Sequence, residues 1–235
     1  MNWYKKATSW NIRTTENFID KCCDIADEAY KFVGQKFAPA VYNKITFFNL
    51  YTNQEEYFDI IIQDDKREAI ANYNVEKKIM TIYPNSLNDV DMTNETKGIE
   101  AIEKAAIHEF THAIDPKFKQ QKFIEKQKNL GQQFGFDYYN FPTEFDAYSK
   151  QITEDIKGFI SADYDNNFDI VYNWVMTTDH NIPEFLIDYN KIILAWRQYD
   201  NLYRSRYIRK FKQRLYNEII LPRLKERKEE QNNVN

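Results

Sequence analysis

Residues 105–115 have the sequence Ala-Ala-Ile-His-Glu-Phe-Thr-His-Ala-Ile-Asp, and they contain two of the three histidines in the chain. His108 and His112 are four positions apart. On an α-helix that spacing puts both side chains on one face, one turn from each other, so both rings can point at the same atom. Glu109 directly follows the first histidine. The segment therefore predicts a helix that presents two imidazoles and a carboxylate together.

The neighbouring residues predict where this helix begins, where it ends and which face is buried. Thr93 or Asn94 can cap its start, and Pro116 prevents its continuation. Its apolar residues recur at helical spacing along one stripe: Ile99, Ile102, Ala106, Phe110 and Ala113. His108 and His112 fall about 180–220° around the helix from the start of that stripe. The helix should bury one face and present the histidines to a cleft.

The pattern His-Glu-x-x-His on a helix is typical of a zinc hydrolase. Imidazole nitrogens bind Zn²⁺ at about 2.0–2.1 Å, and the ion lowers the pKa of a bound water whose proton Glu109 can take. Catalytic zinc usually has three protein ligands. A third histidine at the spacing H-E-x-x-H-x-x-G-x-x-H is absent, because Ala-Ile-Asp-Pro follows His112. A carboxylate is the better candidate for the third ligand.

Residues 144–147, Glu-Phe-Asp-Ala, supply a second motif. With the histidine segment, this motif resembles the zincin metallopeptidases whose third ligand is a downstream helical Glu in an E-x-x-A context. The resemblance covers residues 40–160. It implies an α+β, zincin-like fold with a small, twisted, mostly antiparallel sheet, an active-site helix and a second helix that brings the carboxylate to the metal.

The resemblance implies His108, His112 and Glu144 as ligands of Zn²⁺ and Glu109 as the general base. Asp146 is an alternative third ligand or a hydrogen-bonding partner of a ligating histidine. On one helix Glu144 and Asp146 point about 200° apart, so only one of them can face the metal, and Glu144 is favoured.

Related peptidases use a Tyr or a His to stabilise the oxyanion. Tyr139 is predicted in this role, and Tyr138, Tyr148 and His180 are alternatives. Asp115 either hydrogen-bonds a metal ligand or is a polar helix end.

The rest of the chain predicts strands before the motif and helices after it. Four segments have the alternation and residue types of strands: Ile45–Phe48, Phe58–Ile62, Ala69–Tyr73 and Ile79–Tyr83. A helix is predicted from Pro142 to about Phe159, and a long one from Glu184 to Pro222. We therefore expect a zincin-like domain over residues 1–160 and a helical C-terminal region with a basic end over residues 161–235.

The composition limits the class of protein and the cellular location that can be expected. The 235 residues carry a net charge of −4, and 43% of them are hydrophobic, which suits a folded chain. Cys22 and Cys23 are the only cysteines and are adjacent, so a disulfide framework is excluded. The N-terminus lacks the apolar core of a signal peptide, and no apolar run is long enough to span a membrane. A cytoplasmic or virion location is expected.

Two kinds of function fit these features. The first is a zinc metalloendopeptidase that acts on a peptide or protein substrate, whether its activity is retained or vestigial. The second is a structural or assembly protein on a zincin-like scaffold, such as a phage virion or tail component. From Arg204 to the end there are ten basic and four acidic residues, a charge of +6. This basic end could bind an acidic protein surface or nucleic acid, and the C-terminal helices could form a homo-oligomer or a larger assembly.

Overall fold

The computed structural model describes residues 19–49, 52–115, 139, 141–177, 181–203 and 206–234. Within these ranges the protein is α+β, with mostly helical secondary structure and one four-stranded sheet, so the predicted fold class is confirmed. The chain divides into two compact units, Met1–Gln133 and Phe134–Asn235. Within the described ranges, no helix has both the length and the apolar character that crossing a membrane requires.

The sheet belongs to the first unit and contains all four predicted strands. Its strands are β1 (Ala40–Asn49), β2 (Gln54–Ile62), β3 (Ala71–Asn74) and β4 (Ile79–Ile82), in the order β1-β2-β4-β3. Two of the three pairings are antiparallel, and β2 pairs with β4 in parallel. Among the described residues, β1 and β3 are therefore the edges of this mixed sheet.

In its described part, the first unit has the α-helices α1 (residues 19–30), α2 (Asp89–Thr93) and α3 (Glu95–Ile114). The side chain of Asn94 caps α3 by accepting a hydrogen bond from the N–H of Lys97 at 3.1 Å. Asp115 follows the last helical residue, with its N–H bonded to the carbonyls of Thr111 and His112. The histidine segment is thus helical, with a start and an end that agree with the sequence-based prediction.

Aromatic packing attaches α3 to the sheet. The ring of Phe110 lies 5.3 Å from that of Phe47 on β1 and 5.1 Å from that of Phe58 on β2, measured between centroids. Phe58 also meets Tyr73 on β3 edge to face at 5.7 Å. Such pairs stabilise a core beyond the area they bury. Because Phe110 is wedged among these rings, the rotation of α3 about its own axis is fixed.

The start of α3 packs closely against the preceding segment at Gly98. A Cβ added there would lie 2.5 Å from the main-chain oxygen of Asp91 and closer still to the ring of Tyr30. Tyr30 in turn donates a hydrogen bond from its hydroxyl to the carbonyl of Met92 at 3.1 Å. Only a residue without a side chain fits between these groups.

The second unit is helical in its described part. Its helices are α4 (Pro142–Ala162), α5 (Tyr164–Met176), α6 (Asn190–Tyr203), α7 (Tyr207–Leu215) and α8 (Leu221–Val234), with a 3₁₀ turn at Glu184–Tyr189. One face of α4 packs on the later helices through Phe145, Ile152, Ile156 and Ile160. As a packing unit, α4 therefore belongs with the C-terminal helices. The division into domains at residue 160 stays a prediction.

The long helix predicted from Glu184 to Pro222 is wrong as a single element. It begins as a 3₁₀ turn, and a new helix starts at Tyr207, where the carboxylate of Asp200 accepts the N–H groups of Tyr207 and Ile208 at 2.8 and 3.0 Å. The helical segment that starts at Tyr207 continues past Pro222 to Val234, through a π-helical turn at Tyr216–Ile220. In a regular α-helix the ring of Pro222 would clash with the carbonyl four residues earlier, and the structure has the π-helical turn just before it.

An ion-pair network around the buried Glu218 connects α4 with the π-helical turn. The carboxylate of Glu218 lies 3.2 Å from Lys150 Nζ, 3.7 Å from Lys157 Nζ and 3.7 Å from Arg214 Nε. Burial by itself would raise the pKa of Glu218, but the three cations together lower it below its ordinary value. The charges of the second unit thus stabilise the ionised form of a buried carboxylate.

Gly98→Ala is expected to lower the free energy of unfolding by about 1–3 kcal/mol, because the main chain must shift to admit the methyl group. Gly158→Ala on α4 is the matched control, since nothing lies within 4 Å of its added Cβ. The control should raise stability by up to about 1 kcal/mol through helix propensity. Urea titrations measure both changes, and equal effects at the two sites would contradict the packing described for Gly98.

Glu218→Gln is expected to lower the free energy of unfolding by about 3 kcal/mol at neutral pH, the lower end of the range for a broken buried ion pair, since Lys150 keeps Glu154 as a partner. The folded-state pKa of Glu218 is depressed. The contribution of the Glu218 carboxylate to the free energy of unfolding is therefore complete above its unfolded-state pKa of about 4.3. It is lost as the pH falls through the lower pKa of the folded state. Denaturant titrations should show the two proteins converging below about pH 4. A difference that is independent of pH would contradict this account.

Candidate metal centre

The two histidines of α3 meet at their Nε2 atoms. These atoms lie 3.1 Å apart, and the ring planes are nearly perpendicular, at 85°. His108 is 7% exposed and His112 is 3% exposed. Two nitrogens bound to one tetrahedral ion at about 2.05 Å would lie about 3.3 Å apart, close to the observed distance. A hydrogen bond between the rings, with one Nε2 protonated, has a similar length, so a third donor is needed to distinguish the two interpretations.

Glu144 supplies that third donor. It is in the first turn of α4 and is 4% exposed. One ligand atom from each of His108, His112 and Glu144 lies within 4.8 Å of the other two. Two imidazoles and a carboxylate, all buried, make a donor set that a cation would satisfy. This buried group could hold a metal ion.

Asp146, the alternative third ligand, is not part of this group in the described part of the chain. Its carboxylate instead lies 3.9 Å from the guanidinium of Arg214. The two acids are two positions apart on α4 and so point in different directions, as helical geometry requires. Glu144, and not Asp146, therefore has the position of the candidate ligand.

Glu109 makes a contact that the sequence analysis did not anticipate. Its Oε2 accepts a hydrogen bond of 2.7 Å from the main-chain N–H of Tyr73 on β3. The candidate general base is thus tied to an edge strand of the sheet. No sequence signal could have identified the donor, because every residue except proline carries the same main-chain N–H.

The C-terminal end of α3, one turn beyond the second histidine, is also anchored to the sheet. Asn49, at the end of β1, is 2% exposed and donates from Nδ2 to the carbonyl of Ile114 at 3.2 Å and to Glu56 Oε1 at 2.9 Å. Carbonyls in the last turn of a helix lack intrahelical partners, so this amide satisfies one of them. The contact holds the end of the helix that carries the candidate site.

The structure leaves the predicted oxyanion-stabilising residue untested. Tyr139 packs edge to face against Tyr148 with centroids 5.3 Å apart, and its carbonyl accepts a hydrogen bond from Trp196 Nε1 at 2.9 Å. The alternatives Tyr138 and His180 lie outside the described residues. Asp115 is 6% exposed, at the end of α3. The assignment of Tyr139 to the oxyanion stays a prediction.

The purified chain is expected to bind about one divalent metal ion in the site. His108→Ala or Glu144→Gln should raise the Kd by more than about 100-fold, because changes to residues that only orient ligands already cost about 10–100-fold. Asp146→Asn is the matched control on the same helix and should leave the affinity unchanged. Competition with a chromophoric chelator measures each Kd. An Asp146 variant that loses the metal while the Glu144 variant keeps it would contradict the assignment.

Comparison with known proteins adds no family assignment for this chain. No protein-family model, no curated protein and no solved structure matches it significantly. The candidate metal centre therefore rests on the residues and distances described above.

Proposed function

We propose that the protein is a zinc-dependent metallopeptidase of the zincin kind. The observation that carries this proposal is the buried group of His108, His112 and Glu144, together with Glu109 beside the first histidine on α3. Two imidazoles and one carboxylate are a known ligand set of catalytic zinc and leave a fourth position open. Zinc is preferred to calcium or magnesium, because those ions favour oxygen ligands.

The residues of the chain would divide the work as follows. His108, His112 and Glu144 would hold the ion, which when bound supplies a Lewis acid and lowers the pKa of water. Glu109 would take a proton from the attacking water and deliver it to the leaving amine.

β3 is an edge strand, and it lies beside the base through the contact between Tyr73 and Glu109. An extended peptide could add to such an edge by main-chain hydrogen bonds. Main-chain pairing of this kind fits a peptide substrate better than a small molecule without a peptide backbone.

Glu109→Gln should keep the bound metal and lower the rate of peptide hydrolysis by about 10²–10⁴-fold, the usual contribution of a general base. The zinc-loaded protein would be incubated with casein and with a peptide library, and new termini would be identified by mass spectrometry. Glu100→Gln, at an exposed position of the same helix, is the matched control and should cleave like the wild type. Equal cleavage by the wild type and the Glu109 variant would refute the assigned base.

A structural or assembly role on the same scaffold is the second candidate. It is favoured by large apolar side chains that the second unit leaves 39–59% exposed in its described part: Tyr164, Ile170, Met176, Ile187 and Leu194. Exposed apolar surface of this kind is a feature of protein interfaces when it is contiguous. A chain that binds zinc in the site and cleaves no peptide would fit this second candidate.

Nucleic acid is the less favoured partner for the basic end. Arg223 lies over the ring of Tyr164 and Arg227 over that of Phe168, with centroid distances of 4.6 and 5.0 Å. Lys212 donates to the carbonyls of Trp174 and Thr177. These cations stabilise contacts within the second unit, so only part of the charge of the basic end faces solvent.

A further inference from the structure

The hydrogen-bond pattern of the sheet determines which main-chain groups of β3 point away from β4. The N–H of Tyr83 donates to the carbonyl of Ile70 at 2.7 Å, so the groups of Ile70 face β4. In a strand, successive residues direct their main-chain groups to opposite sides. Asn72 therefore also faces β4, where it pairs with Thr81. The groups of Ala71 and Tyr73 point toward the outer edge of the sheet.

The N–H of Tyr73 meets the carboxylate of Glu109 at that outer edge, at 2.7 Å from Oε2. A hydrogen bond from an N–H to an ionised carboxylate is short and about twice as strong as one between neutral groups. The side chain of Glu109 has three rotatable bonds, and each contact that it makes narrows the orientations open to the carboxylate. One strong donor on a rigid strand can hold it in a single orientation.

We propose that the main-chain N–H of Tyr73 is a positioning group that orients Glu109 for its work as the general base. This inference rests on the proposed function and extends it, because it assigns to β3 a role in catalysis besides that of holding a peptide. The sheet edge and the base would act together, because the strand that would accept the substrate also sets the direction of the carboxylate. A base held in place needs less reorganisation when the proton is transferred.

The contact can be tested without touching the side chain of Tyr73. Replacing Tyr73 by its α-hydroxy acid analogue turns the amide into an ester, which removes the N–H and keeps the phenol ring. The same replacement at Ala71 is the matched control, since Ala71 points to the same edge. Each ester also weakens the carbonyl of the preceding residue, Asn72 or Ile70, and both of those face β4. The loss of hydrogen-bond strength between β3 and β4 is therefore similar in the two esters.

The ester at Tyr73 is expected to lower kcat by about 10–100-fold, with KM and zinc affinity unchanged, as for other groups that orient active-site residues. The ester at Ala71 removes an N–H of the edge that would hold the peptide, so it is expected to raise KM while it leaves kcat within about twofold, as for the loss of a contact that binds substrate and transition state equally. A loss of kcat that is equal in the two esters would overturn the proposal, because it would reflect damage to the sheet alone.

A second measurement does not depend on activity. In protein labelled with ¹⁵N-tyrosine, the N–H of Tyr73 should exchange with solvent about tenfold or more faster in Glu109→Ala than in the wild type, as expected for a lost charged hydrogen bond. The exchange in Glu100→Ala should match the wild type. Unchanged exchange in Glu109→Ala would overturn the contact. A wild type that cleaves no peptide would instead refute the proposed function, and the positioning role with it, whatever the exchange rates.

Discussion

The packing of Phe110 against the sheet is the contact on which the candidate site depends. Phe110 is two residues from both His108 and His112, so it lies about 200° around α3 from each of them. Its ring lies among those of Phe47 and Phe58, in the core of the first unit. Burying this one aromatic side chain therefore directs both imidazoles to the opposite face of the helix. A rotation of α3 by one residue, about 100°, would turn both imidazoles together away from that face.

Three further contacts hold α3 along its length, and each comes from a different element. Gly98 allows close approach at its start, the N–H of Tyr73 holds Glu109 near its middle, and Asn49 satisfies a carbonyl at its end. A functional group must be positioned to within about half an ångström to act well. A helix that is held at both ends and near its middle positions a site more precisely than a loop does.

The second unit contains a buried carboxylate that is stabilised by neighbouring cations. Glu218 is surrounded by Lys150, Lys157 and Arg214, and it sits on the π-helical turn that precedes Pro222. The same α4 helix carries Glu144 in its first turn. The network fixes the middle of α4 by charge, while Phe145 and the isoleucines of its apolar face fix it by packing. The candidate ligand thus stands on a helix that is well anchored within its own unit.

Local pattern was enough to predict α3 with its limits, the pair of histidines on one face, the four strands and the α+β class. Each of these follows from residues that are near in sequence, such as the cap at Asn94, the four-residue spacing of His108 and His112, and the alternation of apolar residues. Glu144 was expected from a resemblance, and helical geometry alone left Asp146 open. The tertiary structure was required to bring Glu144 to the imidazoles, to pair β2 with β4 in parallel, to break the C-terminal helix at Asp200 and to join Tyr73 to Glu109. Those features depend on contacts between residues far apart in the chain, and a main-chain donor or a distant carboxylate leaves no mark in the local pattern.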